Sequence, residues 1–135
     1  MNPPPEQQGM MEAMEVLAEE GPDCKIVYWK FKMPMMSSRD NVMRIQIVNH
    51  EGGRFVICET IEHHSKPVFP GVVRMFVYTR GFIRPGKEAG THEYTEFTVM
   101  NMGGYIPARL LNMVIASETQ KEFANMVKFV REKNK

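Results

Sequence analysis

An α+β fold is predicted by two patterns that occupy successive parts of the chain. Between Lys25 and Asn101, apolar and polar residues alternate in segments separated by turn-forming residues, which is typical of antiparallel strands. After Pro107 the apolar residues recur at helical spacing to about Lys133. Five or six consecutive antiparallel strands followed by one long helix predict a curved sheet packed on a C-terminal helix.

The C-terminal segment has the features of a long helix. Gly103 and Gly104 interrupt the strand pattern, and Pro107 stands where a first helical turn tolerates it, because its missing N–H is not needed there. The apolar stripe consists of Leu111, Val114, Ile115, Phe123, Met126, Val127 and Val130. The basic residues away from it are interpreted either as a solvated face or as a membrane-contacting surface.

Each strand is assigned from apolar residues at every second position. The predicted strands cover residues 25–33, 41–49, 54–63, 71–78, 82–84 (or a continuation of the preceding strand) and 91–101. His50-Glu51-Gly52-Gly53 is typical of a hairpin turn, so the strands that it joins should be antiparallel.

The N-terminal part is expected to contain a tail and a short helix. Residues 1–9 carry three consecutive prolines and predict a flexible tail, which leaves residues 10–135 as one domain. Gly21-Pro22 is a usual helix end. The residues that recur at helical spacing before it are Met11, Met14, Leu17 and Ala18.

The composition is that of an ordinary globular protein, with 43% hydrophobic and 24% charged residues. A net charge of +1 argues against nucleic acid as a partner. Cys24 and Cys58 lack C-x-x-C spacing and are expected to be reduced, in a cytoplasmic protein. The 13 methionines are either core filler or an adaptable wall around an irregular apolar ligand.

A search for catalytic or metal-binding patterns points away from an enzyme. His63 and His64 are adjacent, so in a strand they would point to opposite faces and could not share a metal ion; a surface pair at a loop edge is the favoured interpretation. No nucleotide, hydrolase or zinc-protease motif is present. We therefore expect no catalytic residues, no metal and no cofactor.

Two charged residues stand out because they share strand parity with apolar neighbours. Glu59 alternates with Ile57 and Ile61, and Arg74 alternates with Val72. A charge on an apolar face is costly unless it is paired, so one hypothesis is a Glu59–Arg74 contact that anchors a ligand in an apolar cavity. The alternative is that one or both residues point to solvent.

Four motifs follow one another along the chain. They are Val27-Tyr28-Trp29-Lys30, Ser38-Arg39-Asp40-Asn41-Val42, Gly71-Val72-Val73-Arg74, and Gly103-Gly104-Tyr105-Ile106-Pro107 with Leu111-Asn112. Their order and spacing resemble the START family, which comprises lipid-transfer domains related to steroidogenic acute regulatory protein and phosphatidylcholine transfer protein. The resemblance covers the chain from Tyr28 to its end.

This resemblance implies a helix-grip fold, in which the sheet curls into an open barrel and the C-terminal helix closes a tunnel for one lipid. It places a gate at residues 85–90 and the helix start. It also matches Arg74 to an arginine that faces a carboxylate in sterol-binding members. The strand 25–33, which should supply that carboxylate, has Lys30 and Lys32 instead, and Glu59 is a conjectural substitute.

The resemblance further implies a shortened START-like domain. The family's first helix and first three strands have no counterpart upstream of Met10, so the strand 91–101 keeps a free edge. Three outcomes are open: a shallower lipid-binding cup, a homodimer in which a second copy completes the sheet, or a form that no longer carries lipid.

The expected function is non-enzymatic binding or transfer of one lipid, a phospholipid or a sterol, with transient contact to a membrane surface. The alternative is a protein-interaction or regulatory module on the same scaffold, and an enzyme ranks third. The candidate cavity residues are Val27, Trp29, Phe31, Glu59, Arg74, Phe76, Phe97, Leu111, Val114 and Ile115.

Overall fold

The computed structural model describes residues 11–32 and 36–133. They belong to two compact units, a sheet that ends at Gly103 and a helical unit that begins at Gly104. The predicted tail, residues 1–9, lies outside the described residues. The elements are β1 (Met11–Glu19), β2 (Cys24–Phe31), β3 (Ser38–His50), β4 (Gly53–Thr60), β5 (Val72–Arg74), β6 (Phe76–Pro85), β7 (His92–Asn101) and α1 (Ala108–Lys133).

The seven described strands form one sheet in the order β1-β2-β3-β4-β6-β7, with β5 paired to β3. Neighbours along this path are antiparallel, whereas β5 runs parallel to β3. β4 pairs with β3 only as far as the Thr60–Met43 pair, and β5 takes its place beside residues 38–40. The chain leaves the sheet after β4 and rejoins it at β5, and the residues between these strands form the β4–β5 loop.

The predicted hairpin between the second and third strands of the sequence analysis is confirmed. His50 lies opposite Gly53, and β3 and β4 are antiparallel on either side of the turn. Gly52 has φ +81°, a left-handed conformation that glycine adopts without steric cost.

Of the two alternatives for residues 82–84, continuation of the preceding strand is correct, because β6 runs without interruption through Gly81. The predicted strand 71–78 is itself divided at Met75 into β5 and β6. Gly81 lies opposite Val56 on one side and Glu96 on the other. A Cβ added to Gly81 would lie 2.7 Å from the hydroxyl oxygen of Tyr94. This glycine therefore makes room for an aromatic side chain and does not mark a turn.

The predicted N-terminal helix is wrong: residues 11–19 form the edge strand β1, paired with β2. The pairing register shifts twice, between Met11 and Ala13 and between Val16 and Ala18. Such irregularities add residues to one strand and destroy its period-two pattern. The segment also consists of helix-favouring Met, Glu, Ala and Leu, and its tertiary pairing overrides that weak local preference.

The hydrophobic core is divided into two clusters on opposite faces of the sheet. The first contains Ile26, Tyr28 and Val42, with Leu17, Ala18 and Ile61 packed against it. The second contains Met43, Met75 and Val77, with Trp29, Phe31, Ile45, Cys58 and Met102 packed against it. Because successive residues of a strand point to opposite faces, Val42 and Met43 of β3 contribute to different clusters.

The predicted C-terminal helix is confirmed as α1, which has 26 residues and ends at Lys133. The amide of Leu111 donates to the carbonyl oxygen of Pro107 over 3.0 Å, so Pro107 contributes an acceptor to the first turn. Its missing N–H costs nothing there, since the first amides of a helix have no intrahelical partner. Arg131 and Lys133 lie in the last turn, where the helix dipole favours cations.

Candidate functional site

Two faces of the sheet carry different chemistry, and cross-strand pairing assigns residues to them. Trp29 lies opposite Asn41, and Met43 lies opposite both Val27 and Thr60. We call their side of the sheet the tryptophan face. Asp40 lies opposite Lys30 on one side and Arg74 on the other, and we call that side the aspartate face.

The tryptophan face is lined by soft apolar side chains. Met43 and Met75 are buried and Met102 packs against them, which brings three thioethers together. The rings of Trp29 and Phe31 meet edge to face, with centroids 6.3 Å apart at an interplanar angle of 89°. Methionine side chains repack easily around irregular shapes, so this surface is suited to an apolar ligand.

A polar network is embedded in the tryptophan face around Asn41, which is 2% exposed. Its Nδ2 donates to Thr60 Oγ1 over 2.7 Å and to the Met75 carbonyl over 3.0 Å. Thr60 Oγ1 in turn accepts from the Val77 amide over 2.8 Å and donates to the Val77 carbonyl over 3.2 Å. The hydroxyl proton of Thr60 is therefore committed, and the oxygen must accept from Asn41, which fixes the amide orientation.

Two buried polar atoms of this face have no hydrogen-bond partner within the described part of the chain. They are Asn41 Oδ1, an acceptor, and Trp29 Nε1, a donor. Leaving a buried polar group unpaired costs about 1–3 kcal/mol, so such atoms are few in folded proteins. Trp29 and Asn41 are directly opposite each other on neighbouring strands, where Cβ atoms are about 5 Å apart.

Arg39, on the same face, ties the end of the sheet to the start of β3. It is 3% exposed, and its Nε and Nη2 donate to the carbonyls of Met102 and Gly103, both over 3.2 Å. Its Nη1 donates to the Ser37 carbonyl over 2.5 Å. These bonds position Met102 against the tryptophan face and occupy the guanidinium group.

The aspartate face is organised by the fully buried carboxylate of Asp40. Arg74 binds it through both oxygens, with Nε 2.7 Å from Oδ1 and Nη2 3.2 Å from Oδ2. The Tyr28 hydroxyl donates to Oδ2 over 3.0 Å. Arg74 also donates to the carbonyls of Lys66 and Pro67, so this ion pair fastens the β4–β5 loop to the sheet.

Tyr28 is the partner of Asp40 whose pKa is changed by burial and by the buried carboxylate. Burial, and then the adjacent Asp40 carboxylate, raise the pKa of Tyr28 to about 12. The phenol therefore keeps the proton that it donates to Asp40 across the physiological range. Lys66 Nζ lies 4.6 Å from the centroid of the Tyr28 ring and 2.6 Å from Glu15 Oε2, which adds a cation–π contact and an ion pair.

The hypothesis of a Glu59–Arg74 contact is wrong. Glu59 pairs with Arg80, with Nη2 to Oε2 at 3.4 Å, and both side chains are partly exposed. Arg74 pairs with Asp40 instead, so the carboxylate comes from β3, not from residues 25–33 or from Glu59. Asp40 was missed because the predicted strand began at Asn41, whereas β3 begins at Ser38. With the observed start, Asp40 shares strand parity with the buried Val42, and shared parity with apolar residues was the criterion that selected Glu59.

The candidate cavity residues are divided between the two faces. Val27, Trp29 and Phe31 lie on the tryptophan face. Glu59, Arg74, Phe76 and Phe97 lie on the aspartate face, where Phe76 is 50% and Phe97 is 62% exposed. In α1, Leu111 is half-buried, Ile115 is exposed and the side chain of Val114 lies outside the described part, so their role stays a prediction.

The histidine pair lies beyond the end of β4. The rings of His63 and His64 stack with centroids 4.5 Å apart, and His63 Nδ1 is 2.8 Å from Ser65 Oγ. Among the residues that the structure describes, no cluster of three or more His, Cys, Asp or Glu side chains could hold a metal ion. Within residues 11–32 and 36–133, no helix is both long and apolar enough to cross a membrane.

The family model described as START domain matches residues 8–135. The chain therefore belongs to the START family. No curated protein sequence matches the chain significantly.

Solved structures with the same fold include three human proteins. StAR-related lipid transfer protein 5 aligns with a TM-score of 0.76 at 18% identity, over 96% of this chain and 64% of its own. STARD10 aligns with a TM-score of 0.74 at 12% sequence identity, over 95% of this chain and 54% of its own. The lipid transfer and protein localization domain of StarD13 (DLC2) aligns with a TM-score of 0.63 at 17% sequence identity, over 86% of this chain and 61% of its own. The chain thus has a START-like antiparallel sheet and C-terminal helix, and spans between 54% and 64% of these structures.

Replacing Asp40 with alanine should lower the free energy of unfolding by about 3–5 kcal/mol, because it leaves the Arg74 guanidinium without its buried counter-ion. Urea unfolding measures the change. Glu59→Gln is the matched control, since its partly exposed pair with Arg80 should contribute less than about 1 kcal/mol. Equal losses of unfolding free energy in the two variants would show that the Asp40–Arg74 pair stabilises the fold no more than an exposed ion pair does.

Stability should fall at alkaline pH because the unfolded chain releases the Tyr28 proton near pH 10 and the folded chain near pH 12. The contribution is fully present below pH 10 and is lost as the pH rises from about 10 to about 12, at up to ~1.4 kcal/mol per pH unit. We expect the difference in unfolding free energy between the wild type and Tyr28→Phe to shrink over this interval in urea titrations. Unfolding free energies of the wild type and Tyr28→Phe that change in parallel with pH would contradict the raised pKa of Tyr28.

Proposed function

We propose that this chain is a non-enzymatic lipid-binding protein that holds one lipid against the tryptophan face of its sheet. The observation that carries the proposal is the methionine-rich apolar surface around Trp29, in a chain of the START family. Each large apolar group that such a surface removes from water contributes about 1.5–3 kcal/mol. A phospholipid or a sterol has enough apolar area for tight binding.

The proposal uses the tryptophan-face members of the predicted set, Val27, Trp29 and Phe31. In this proposal the aspartate face does not contact the lipid. Its buried ion pair holds the β4–β5 loop and stabilises the opposite side of the sheet. The similar human proteins are named for lipid transfer, and we extend that role to this chain as movement of the bound lipid between membranes.

A gate at residues 85–90, between β6 and β7, belongs to the proposed mechanism. Gly86 N–H donates to the Thr91 carbonyl over 2.7 Å, and the Thr91 amide and hydroxyl both donate to the Glu88 carbonyl. Since these bonds close the loop on itself, we expect it to move as one piece when lipid enters. A cytoplasmic location is proposed, in keeping with two free cysteines.

The first test is native mass spectrometry of the purified chain after incubation with a mixed lipid extract, followed by titration of Trp29 fluorescence with the lipid recovered. Trp29 is the sole tryptophan, so its emission reports directly on the proposed site. We expect one lipid per chain and a shift in emission on binding. Protein that remains free of phospholipids, sterols and fatty acids would overturn the proposal.

Phe31→Lys should weaken lipid binding at least tenfold, because it places an ammonium group in the apolar lining. Phe76→Lys is the matched control, a phenylalanine on the aspartate face that should bind lipid as the wild type does. Thermal unfolding of both variants separates loss of binding from loss of fold. Equal binding by the two variants would place the lipid elsewhere.

A second candidate function, as a self-associating interaction module, is favoured by the edge strand β7. Within the described sheet β7 pairs only with β6, and Phe97, Val99 and Met100 are exposed. An uncovered edge can pair with another strand. The proposed partner is a second copy of this chain, because residues 97–101 carry no charge and two copies can pair antiparallel without repulsion.

If this candidate is correct, native mass spectrometry will show a dimer whose fraction rises with protein concentration. Val99→Lys should abolish the dimer by placing like charges across the edge, whereas Val48→Lys, on the inner strand β3, should retain it. A wild type that stays monomeric at the highest soluble concentration would eliminate the edge as an interface.

A further inference from the structure

We infer that Trp29 and Asn41 form a neutral polar anchor on the tryptophan face that selects lipids whose buried end carries an alcohol hydroxyl. The inference deepens the proposed function and rests on it. Its basis is the pair of buried atoms without partners, one donor and one acceptor, on directly opposed residues of β2 and β3.

The acceptor is Asn41 Oδ1, and its orientation is determined by its surroundings. Asn41 Nδ2 already bridges Thr60 Oγ1 and the Met75 carbonyl, and the hydroxyl proton of Thr60 is directed to the Val77 carbonyl. Rotating the amide by 180° would set an oxygen against the Met75 carbonyl oxygen. Oδ1 is thus held in one position as an acceptor without a partner, and it can accept a hydrogen bond from a ligand when the side chains that cover it repack.

The donor is the indole N–H of Trp29, which cannot accept a hydrogen bond. A ligand group that satisfies both atoms must accept from Trp29 and donate to Asn41. An alcohol hydroxyl does both through a single oxygen. A phosphate diester or an ionised carboxylate offers acceptors only and would leave Asn41 Oδ1 unpaired, and a quaternary ammonium has no N–H to donate.

The charges around the site agree with a neutral ligand group. Arg39 is the buried cation of this face, and its Nε and both terminal nitrogens already donate to carbonyls of Ser37, Met102 and Gly103. The buried carboxylate of Asp40 lies on the other face and is bound by Arg74. An anionic headgroup at the anchor would therefore have to compete with three backbone carbonyls for the Arg39 guanidinium group and would be desolvated in doing so.

The lipid alcohol could be a sterol or a diacylglycerol, and matched analogues test the shared chemistry in both. Cholesterol is compared with cholest-5-ene, and dioleoylglycerol with propane-1,2-diol dioleate; in each pair only the hydroxyl is missing. Binding is measured by native mass spectrometry and by Trp29 fluorescence. We expect the hydroxyl compound of one pair to bind about tenfold or more tightly than its analogue, and that pair identifies the source.

Trp29→Phe removes the indole N–H and keeps an aromatic ring, so it should reduce the preference for the hydroxyl compound severalfold, as measured by mass spectrometry. Phe31→Leu is the control, because it trims the same face without touching a polar atom and should weaken both members of a pair alike. Equal binding of the two analogues by the wild type would overturn the inference and leave the proposed function standing. A phospholipid bound in preference to either alcohol would also overturn the inference and leave the proposed function standing. A chain that binds no lipid would overturn the inference and the proposed function together.

Discussion

The structure depends on three consecutive buried polar residues at the start of β3, Arg39, Asp40 and Asn41, which are at most 3% exposed. Each must find partners in the interior, and strand geometry sends Asp40 to one face and its two neighbours to the other. Asp40 binds β2 through Tyr28 and β5 through Arg74. Arg39 binds Met102 and Gly103, which follow β7, and Asn41 binds β4 and Met75, the residue between β5 and β6. One segment thus connects most of the sheet.

This alternation also separates the buried ion pair from the candidate ligand surface. The buried ion pair, which carries the largest desolvation cost, lies on the aspartate face and is compensated by bidentate geometry and by the Tyr28 hydroxyl. The tryptophan face retains apolar side chains, neutral polar atoms and the guanidinium group of Arg39, which donates to three backbone carbonyls. A ligand that binds there meets mainly apolar side chains and a few hydrogen-bonding groups, which is the arrangement expected of a site for a largely apolar molecule.

Sequence reasoning was most successful where the pattern is local and regular. The long helix after Pro107 and the hairpin at Gly52 could both be predicted, because period and turn chemistry determine them. It failed at β1, where two register shifts remove the alternation. It also failed between residues 71 and 78, where the single predicted strand is divided at Met75 into β5 and β6.

The sequence by itself determined the fold class and the presence of charged residues with apolar strand neighbours, since these follow from spacing along one strand or helix. The START family was indicated by the resemblance of four motifs along the chain. Only the tertiary structure decided which charges meet and which side chains share a surface. Arg74 reaches Asp40 because β5 replaces β4 beside β3, a parallel pairing with no local signal. The predicted cavity residues fall on two faces because their parity within a strand is visible in sequence, whereas the register between strands is set by pairing.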